Sequence, residues 1–109
     1  MEKGIEDLSK VRDEVENMHL KDKSATFNTA RIEALEMQNL FEVAEATAVT
    51  ANSRKESRGA HSRDDYPDRD DENWLKHSIY FSENKEVSKR DVNYRPKTVQ
   101  AFQPTVRSY

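Results

Sequence analysis

Residues 53–69 read S-R-K-E-S-R-G-A-H-S-R-D-D-Y-P-D-R and separate two parts of the chain with different patterns. Before this stretch, apolar residues recur with helical spacing; after it come short segments in which apolar and polar residues alternate. The stretch is crowded with charge of both signs and contains Gly59, the only glycine after position 4. Because loops carry contacts and sites on scaffolds that helices and strands hold in place, we expect this loop to organise both fold and function.

Composition predicts a small soluble unit with little core. The chain has 109 residues, of which 36% are charged and 34% hydrophobic, so at most one domain is expected, with apolar faces that need a partner. The net charge of −3 is too balanced for a nucleic-acid-binding protein. Cysteine is absent, which excludes disulfides and thiolate chemistry. We find neither an apolar run of membrane-spanning length nor the residue order of a signal peptide.

The first 59 residues predict two antiparallel helices. The first covers residues 5–20, with a narrow apolar stripe at spacings of three and four. The second runs from Asn28 to about Ser57, with Asn28 as its N-cap, Phe27 folding back as a hydrophobic staple and Gly59 as its C-terminal cap. Its apolar residues form two stripes, so it needs a second neighbour. These stripes contain Ile32, Leu35, Val43 and Ala46, and Met37, Leu40, Phe41, Ala44, Ala48 and Ala51.

Residues 60–109 predict a loop, a β-hairpin and a tail. Two alternating runs, 74–81 and 87–94, flank the polar turn S-E-N-K-E, and Pro96 ends the second run because proline cannot donate to a ladder. The tail Val99–Tyr109 should be extended. We treat residues 1–59 and 60–109 as two segments of one structural unit, and we expect Trp74 and His77 to pack the hairpin onto the second helix.

Four stretches carry a resemblance to a known family. Arg54–Ser78 resembles the C-terminal part of the flavoprotein subunit of succinate dehydrogenase and of its relative fumarate reductase. The match extends upstream through Phe27–Leu40 and downstream to Arg95–Lys97 and Val106–Tyr109, so it covers about four-fifths of the chain. The resemblance implies a mainly α fold: an antiparallel helical hairpin or bundle of the spectrin-repeat type, followed by a short β-hairpin and an extended tail.

The same resemblance implies a role in a larger enzyme. The family oxidises succinate to fumarate in the tricarboxylic acid cycle with a covalently held FAD, and electrons pass to an iron-sulfur subunit and then to quinone. It implies a position at the cytoplasmic face of the bacterial inner membrane or the matrix face of the mitochondrial one. The chain lacks the G-x-G-x-x-G fingerprint, the flavin-linking histidine motif and the family's substrate-binding segments. We therefore expect a non-catalytic piece that binds neither FAD nor succinate by itself.

Six residues of the loop are candidate contacts to other domains or partners: Arg54, Glu56, Arg58, His61, Arg63 and Asp64. Arg58, His61 and Arg63 could instead form an anion site, but a helix C-terminus repels anions, and we favour ion pairs with Asp64, Asp65 and neighbouring domains. The histidines and nearby carboxylates match no metal-ligand spacing. We assign no catalytic, cofactor-binding or metal-binding residue.

The expected partners are the flavin-binding and capping domains of the same subunit, the iron-sulfur subunit and a flavinylation factor. Self-association through the exposed stripe of the second helix is also expected. Three alternatives stay open: a fumarate reductase flavoprotein, an L-aspartate oxidase, or a stand-alone helical interaction module. The runs W-L-K-H-S and V-R-S-Y favour succinate dehydrogenase.

Overall fold

The computed structural model describes residues 1–18 and 23–106. In these residues it contains three helices and one two-stranded antiparallel sheet, so the prediction of a mostly helical unit with a β-hairpin is confirmed. The elements are α1 (Glu2–Glu16), α2 (Thr29–Ser53), the single turn α3 (Asp71–Trp74), β1 (Lys76–Phe81) and β2 (Glu86–Asp91).

Helix α1 lies antiparallel to α2. Arg12 of α1 bonds to Glu45 of α2 at 2.6 Å, and the first turn of α1 lies beside Asn52 at the far end of α2. The predicted end at residue 20 is too late: α1 ends at Glu16, and the backbone N–H of Asn17 closes the last turn on the carbonyl of Asp13. Positions 19 and 20 lie outside the described residues.

The start of α2 is set by Asn28, as predicted. The Oδ1 atom of Asn28 accepts a hydrogen bond of 3.0 Å from the backbone N–H of Arg31, which satisfies one of the free donors in the first turn. The predicted hydrophobic staple is wrong. Phe27 takes a positive φ of 52° and is 97% exposed, so its ring turns away from the helix.

The end of α2 differs from the prediction, and Gly59 has another use. The helix ends at Ser53 because Arg54 leaves it with an extended backbone, φ −80° and ψ 106°. Gly59 instead takes the first central position of a two-residue turn closed by two hydrogen bonds between Arg58 and His61, of 2.7 and 3.0 Å. Its φ of 59° is the left-handed conformation that glycine adopts without a steric cost.

The hairpin pairs β1 with β2 in the register Lys76 to Asp91 through Phe81 to Glu86. Its turn falls on residues 82–85, within the predicted polar run. Lys85 has a positive φ of 56° and reaches Glu45 of α2 at 3.1 Å, so the turn is held against the long helix. The predicted runs 74–81 and 87–94 are too long, because Trp74 belongs to α3 and β2 ends at Asp91. After β2, residues 92–106 form neither helix nor strand.

The structure has little interior. Among the described residues no hydrophobic side chain is buried; those buried are Asn28, Glu45 and Glu56. The accessible surface is 9319 Å², against about 6,200 Å² for a compact monomer of this mass. The radius of gyration is 19.3 Å, where about 13 Å is usual. Within residues 1–18 and 23–106, no helix has the length and apolar character needed to cross a bilayer.

Candidate functional site

Glu56 is the centre of the loop and is completely inaccessible to solvent. Its Oε1 accepts hydrogen bonds from Arg54 Nη1 and, at 2.8 Å, from Arg58 Nε. Its Oε2 accepts from Arg58 Nη2 at 3.1 Å and from the backbone N–H of Asp70 at 2.9 Å. Both carboxylate oxygens are therefore satisfied, which a buried charge requires.

The local backbone explains how one short segment supplies these groups. Arg54 follows α2 with an extended backbone, so Glu56 turns inward. The turn at Gly59 then directs Arg58 toward the same carboxylate. Burial by itself raises the pKa of Glu56, but the hydrogen bonds from Arg58, the Asp70 backbone and Arg54 together lower it below its ordinary value. The bond to Glu56 in turn raises the pKa of Arg58.

The ion pairs continue outward from Glu56 with alternating sign. Arg58 bonds to Asp71 at 2.6 Å, and Asp71 pairs with Arg69 at 2.9 Å. Arg69 also donates to the carbonyl of Thr105 at 3.0 Å. The series thus joins the loop after α2 to α3 and to the C-terminal tail.

Arg54 ties the hairpin to the end of α2. Its guanidinium donates to the carbonyl of Trp74 at 2.8 Å and to the carbonyl of Lys76. It also lies over the Trp74 ring, 5.4 Å from its centroid, and Lys89 lies 3.5 Å from the same ring. Trp74 therefore packs the hairpin onto the end of α2, whereas His77 is exposed and does not take part.

Arg63 closes the C-terminus of α2. Its Nη1 donates to the carbonyls of Asn52, Arg54 and Ala51 at 2.7, 3.1 and 3.3 Å. A cation among free terminal carbonyls is favourable for the helix dipole. The other side of the guanidinium holds Asp65 through two bonds, of 2.9 and 2.6 Å, and lowers the pKa of that carboxyl.

The six candidate residues are thus used in different ways. Arg58, His61 and Arg63 do not converge on one anion: Arg58 is committed to Glu56 and Asp71, Arg63 to the helix end, and His61 Nε2 lies 3.3 Å from the carbonyl of Arg54. Arg63 forms the expected ion pair with Asp65, whereas Arg58 pairs with Glu56 and Asp71 instead of Asp64 or Asp65. Only Asp64 remains exposed with no bond from its side chain within the described part of the chain.

Two further features bear on chemistry. In the described ranges, no group of three or more His, Asp or Glu side chains is arranged to hold a metal ion. An open cleft of about 630 Å³ lies between the first turn of α1 and the loop, where Asn52, Ser62 and Asp64 meet Met1 and Glu2. Its lining mixes charges of both signs and contains no histidine.

Glu45 is the structural residue that the sequence reasoning missed. It is 7% exposed and binds both Arg12 and Lys85, so it joins α1, α2 and the hairpin turn. A signal was present, since Glu45 follows Phe41 by four residues and precedes Ala48 by three. That spacing places a carboxylate on the inward apolar stripe, where it needs a cationic partner.

Comparison with known proteins agrees with this architecture. The family model described as "Fumarate reductase flavoprotein C-term" matches residues 1–109. The succinate dehydrogenase flavoprotein subunit of Coxiella burnetii is 52% identical over 98% of this chain, and the mitochondrial subunit of Oryza sativa is 37% identical over all of it. A structure of E. coli quinol fumarate reductase FrdA carrying E245Q superposes over 94% of this chain with a TM-score of 0.77 at 30% identity. The chain covers 18% of each of these proteins.

Fold and site together define a mostly helical domain organised by a buried ion-pair network. The chain belongs to the family of C-terminal domains of succinate dehydrogenase and fumarate reductase flavoprotein subunits.

Replacing Glu56 should weaken the whole domain. Glu56→Gln leaves Arg54 and Arg58 buried against a neutral group, and we expect a loss of about 3–5 kcal/mol in the free energy of unfolding at pH 7. Urea titration followed by circular dichroism measures it. Asp91→Asn is the control, because it breaks only the exposed pair with Lys76 and should change stability little.

The pH dependence of the free energy of unfolding tests whether the charge of Glu56, and not only its size and shape, stabilises the domain. Because the folded pKa is lowered, the contribution of Glu56 is complete above its unfolded value of about 4.5 and is lost as the pH falls through the folded pKa. The unmodified chain should therefore lose stability below pH 4.5 more steeply than Glu56→Gln. The role would be contradicted if stability fell equally steeply with pH in the unmodified chain and in Glu56→Gln. It would also be contradicted if Asp91→Asn reduced this pH dependence as much as Glu56→Gln does.

Proposed function

We propose that this chain is the C-terminal, non-catalytic domain of a succinate dehydrogenase flavoprotein subunit. In that subunit FAD oxidises succinate to fumarate, and electrons pass to an iron-sulfur subunit and on to quinone. The observation that carries the proposal is the 52% identity to a succinate dehydrogenase subunit over 98% of this chain. With bacterial and mitochondrial relatives, the complex would lie at the cytoplasmic face of the bacterial membrane or at the matrix face.

A fumarate reductase flavoprotein is the second candidate, supported by the superposition on the E. coli enzyme. Identity is 30% to the E. coli enzyme and 36% to the fumarate reductase flavoprotein of Haemophilus influenzae, against 52% to the Coxiella succinate dehydrogenase subunit, which favours the first candidate. An L-aspartate oxidase and a stand-alone interaction module rest only on the sequence resemblance and on the exposed helix face.

The domain's role would be to buttress its neighbours. Residues 1–59 and 60–109 would act as one unit, since many bonds cross between them, among them Glu56 to Asp70, Arg54 to Trp74 and Lys76, and Glu45 to Lys85. Such a unit presents a rigid frame in which the loop after α2 stays in place without an apolar core.

The exposed face of α2 would receive a third helix of the longer polypeptide and complete a bundle of the spectrin-repeat type. This face lies opposite the Glu45 contact with α1, and its large apolar residues are at least half exposed: Ile32, Leu35, Leu40 and Val43. Their stripe is wide enough for one neighbouring helix. The excess surface of the chain is consistent with a missing neighbour.

In the 109-residue chain alone, a second copy should cover this face. We expect concentration-dependent dimers in sedimentation velocity, and Val43→Glu should abolish them by placing a charge in the apolar contact. Val99→Glu is the matched control, because Val99 is 67% exposed and Val43 66%, but Val99 lies outside α2. A monomer at high concentration, or equal loss in both variants, would count against the prediction.

Inter-domain contact by the loop would fall mainly on Asp64. The arginines Arg54, Arg58 and Arg63 already have partners within the chain, and Glu56 is buried, so they would act by shaping the loop. Asp64 is exposed beside the cleft and would accept a basic side chain from the flavin-binding or capping domain, the iron-sulfur subunit or a flavinylation factor.

Two neighbouring aspartates test this division of roles. Asp64→Asn should leave the melting temperature of the isolated chain unchanged but reduce recovery of the assembled, flavin-containing complex. Asp65→Asn should lower the melting temperature of the isolated chain, because Arg63 loses its bidentate partner. If Asp64→Asn leaves assembly intact, the contact lies elsewhere.

The isolated chain should bind neither FAD nor succinate. The residues that hold both would lie in the rest of the subunit, so isothermal titration of each ligand into the 109-residue chain should give no saturable heat at micromolar concentrations. The complete subunit serves as the positive control. Saturable binding to the isolated chain would overturn its proposed non-catalytic role.

A further inference from the structure

Residues 92–106, here called the arm, differ from the rest of the chain. The arm contains no helix or strand and bends at residues 97–99, and Pro96 and Pro104 limit its backbone at two places. Within the described ranges, two polar contacts hold it to the body: Tyr94 Oη donates to the carbonyl of Leu75 at 3.3 Å, and Arg69 donates to the carbonyl of Thr105. It is thus fixed near both ends and uncovered between them.

The arm exposes large apolar side chains. Val99 is 67% exposed, Phe102 79% and Val106 84%. Single exposed apolar residues are common, but three within eight positions on a segment without regular structure indicate a surface that something else covers. The two prolines also reduce the conformational entropy that the arm loses when it is covered.

The charge of the arm indicates the chemistry of what covers it. From residue 92 onward the sequence contains Arg95, Lys97 and Arg107 but no Asp or Glu. An acidic surface with an apolar floor fits this combination. An anionic membrane fits less well, because lipid-binding segments usually cluster about four to eight basic residues.

We propose that the arm docks into an acidic, apolar-floored groove on the remainder of the same longer polypeptide. This rests on the proposed function, in which the chain is one domain of a flavoprotein subunit. Three apolar anchors and a few cations form a weak site for a separate molecule. Covalent connection places the groove at an effective concentration in the millimolar range, so weak contacts suffice within one polypeptide.

Hydrogen exchange at residues 97–103 tests the proposal. It is measured in the 109-residue chain, in the complete subunit alone, and in the subunit with its iron-sulfur partner or with anionic vesicles. We expect exchange in the complete subunit alone to be at least about tenfold slower than in the 109-residue chain. The double variant Arg95→Glu with Lys97→Glu, and the variant Phe102→Ser, should each restore fast exchange.

Matched variants keep the result specific. Lys23→Glu with Arg90→Glu makes the same charge change elsewhere, and Phe27→Ser removes a phenylalanine ring that is even more exposed than that of Phe102; neither should change exchange in the arm. Slowing only with the iron-sulfur partner, or only with vesicles, would overturn the docking within one polypeptide. If hydrogen exchange in the complete subunit slows along the apolar face of α2 but not in the arm, this inference alone is overturned. If exchange slows at neither place, the proposed function is overturned as well.

Discussion

The structure depends on one buried carboxylate. Glu56 carries a charge with no access to water, which is costly unless every lone pair finds a donor. Its donors come from the end of α2, from the turn at Gly59 and from the backbone before α3, so these three places must be correct at the same time. Arg54 also bonds to the carbonyl of Trp74 before the hairpin, and Arg58 also bonds to Asp71, so both regions are positioned relative to Glu56. The loop is the centre of the domain because it satisfies this charge.

Glu45 on the long helix is a second buried carboxylate that is paired with cations from other elements. It holds Arg12 and Lys85, and so positions α1 and the hairpin turn against α2. Ion pairs are directional and need defined partners, whereas apolar burial is tolerant of rearrangement. A domain held mainly by ion pairs can keep a defined shape while its apolar faces stay exposed.

Local signals predicted much of this fold, and distant contacts account for the failures. Asn28 was recognised as a cap because its partner, the N–H of Arg31, is three residues away. The hairpin followed from alternation around a polar turn. The position of Gly59 is ambiguous from the sequence because both a helix cap and a tight turn use a positive φ, and the extended backbone of Arg54, which ends α2 earlier, is visible only in the structure. The burial of Glu56 was beyond reach, since it depends on Asp70, fourteen positions away.

The absence of buried hydrophobic side chains from the described ranges has a thermal consequence. The heat capacity change of unfolding comes chiefly from apolar surface that becomes hydrated, and less such surface is withdrawn from water here than in a compact domain of this size. The free energy of unfolding of the isolated domain should therefore change almost linearly with temperature, with little of the usual curvature. The cost of keeping Glu56 dry also falls on warming, because the hydration of ions becomes less favourable as temperature rises. Strong curvature of the free energy with temperature would be a property of a larger assembly in which these apolar faces are covered.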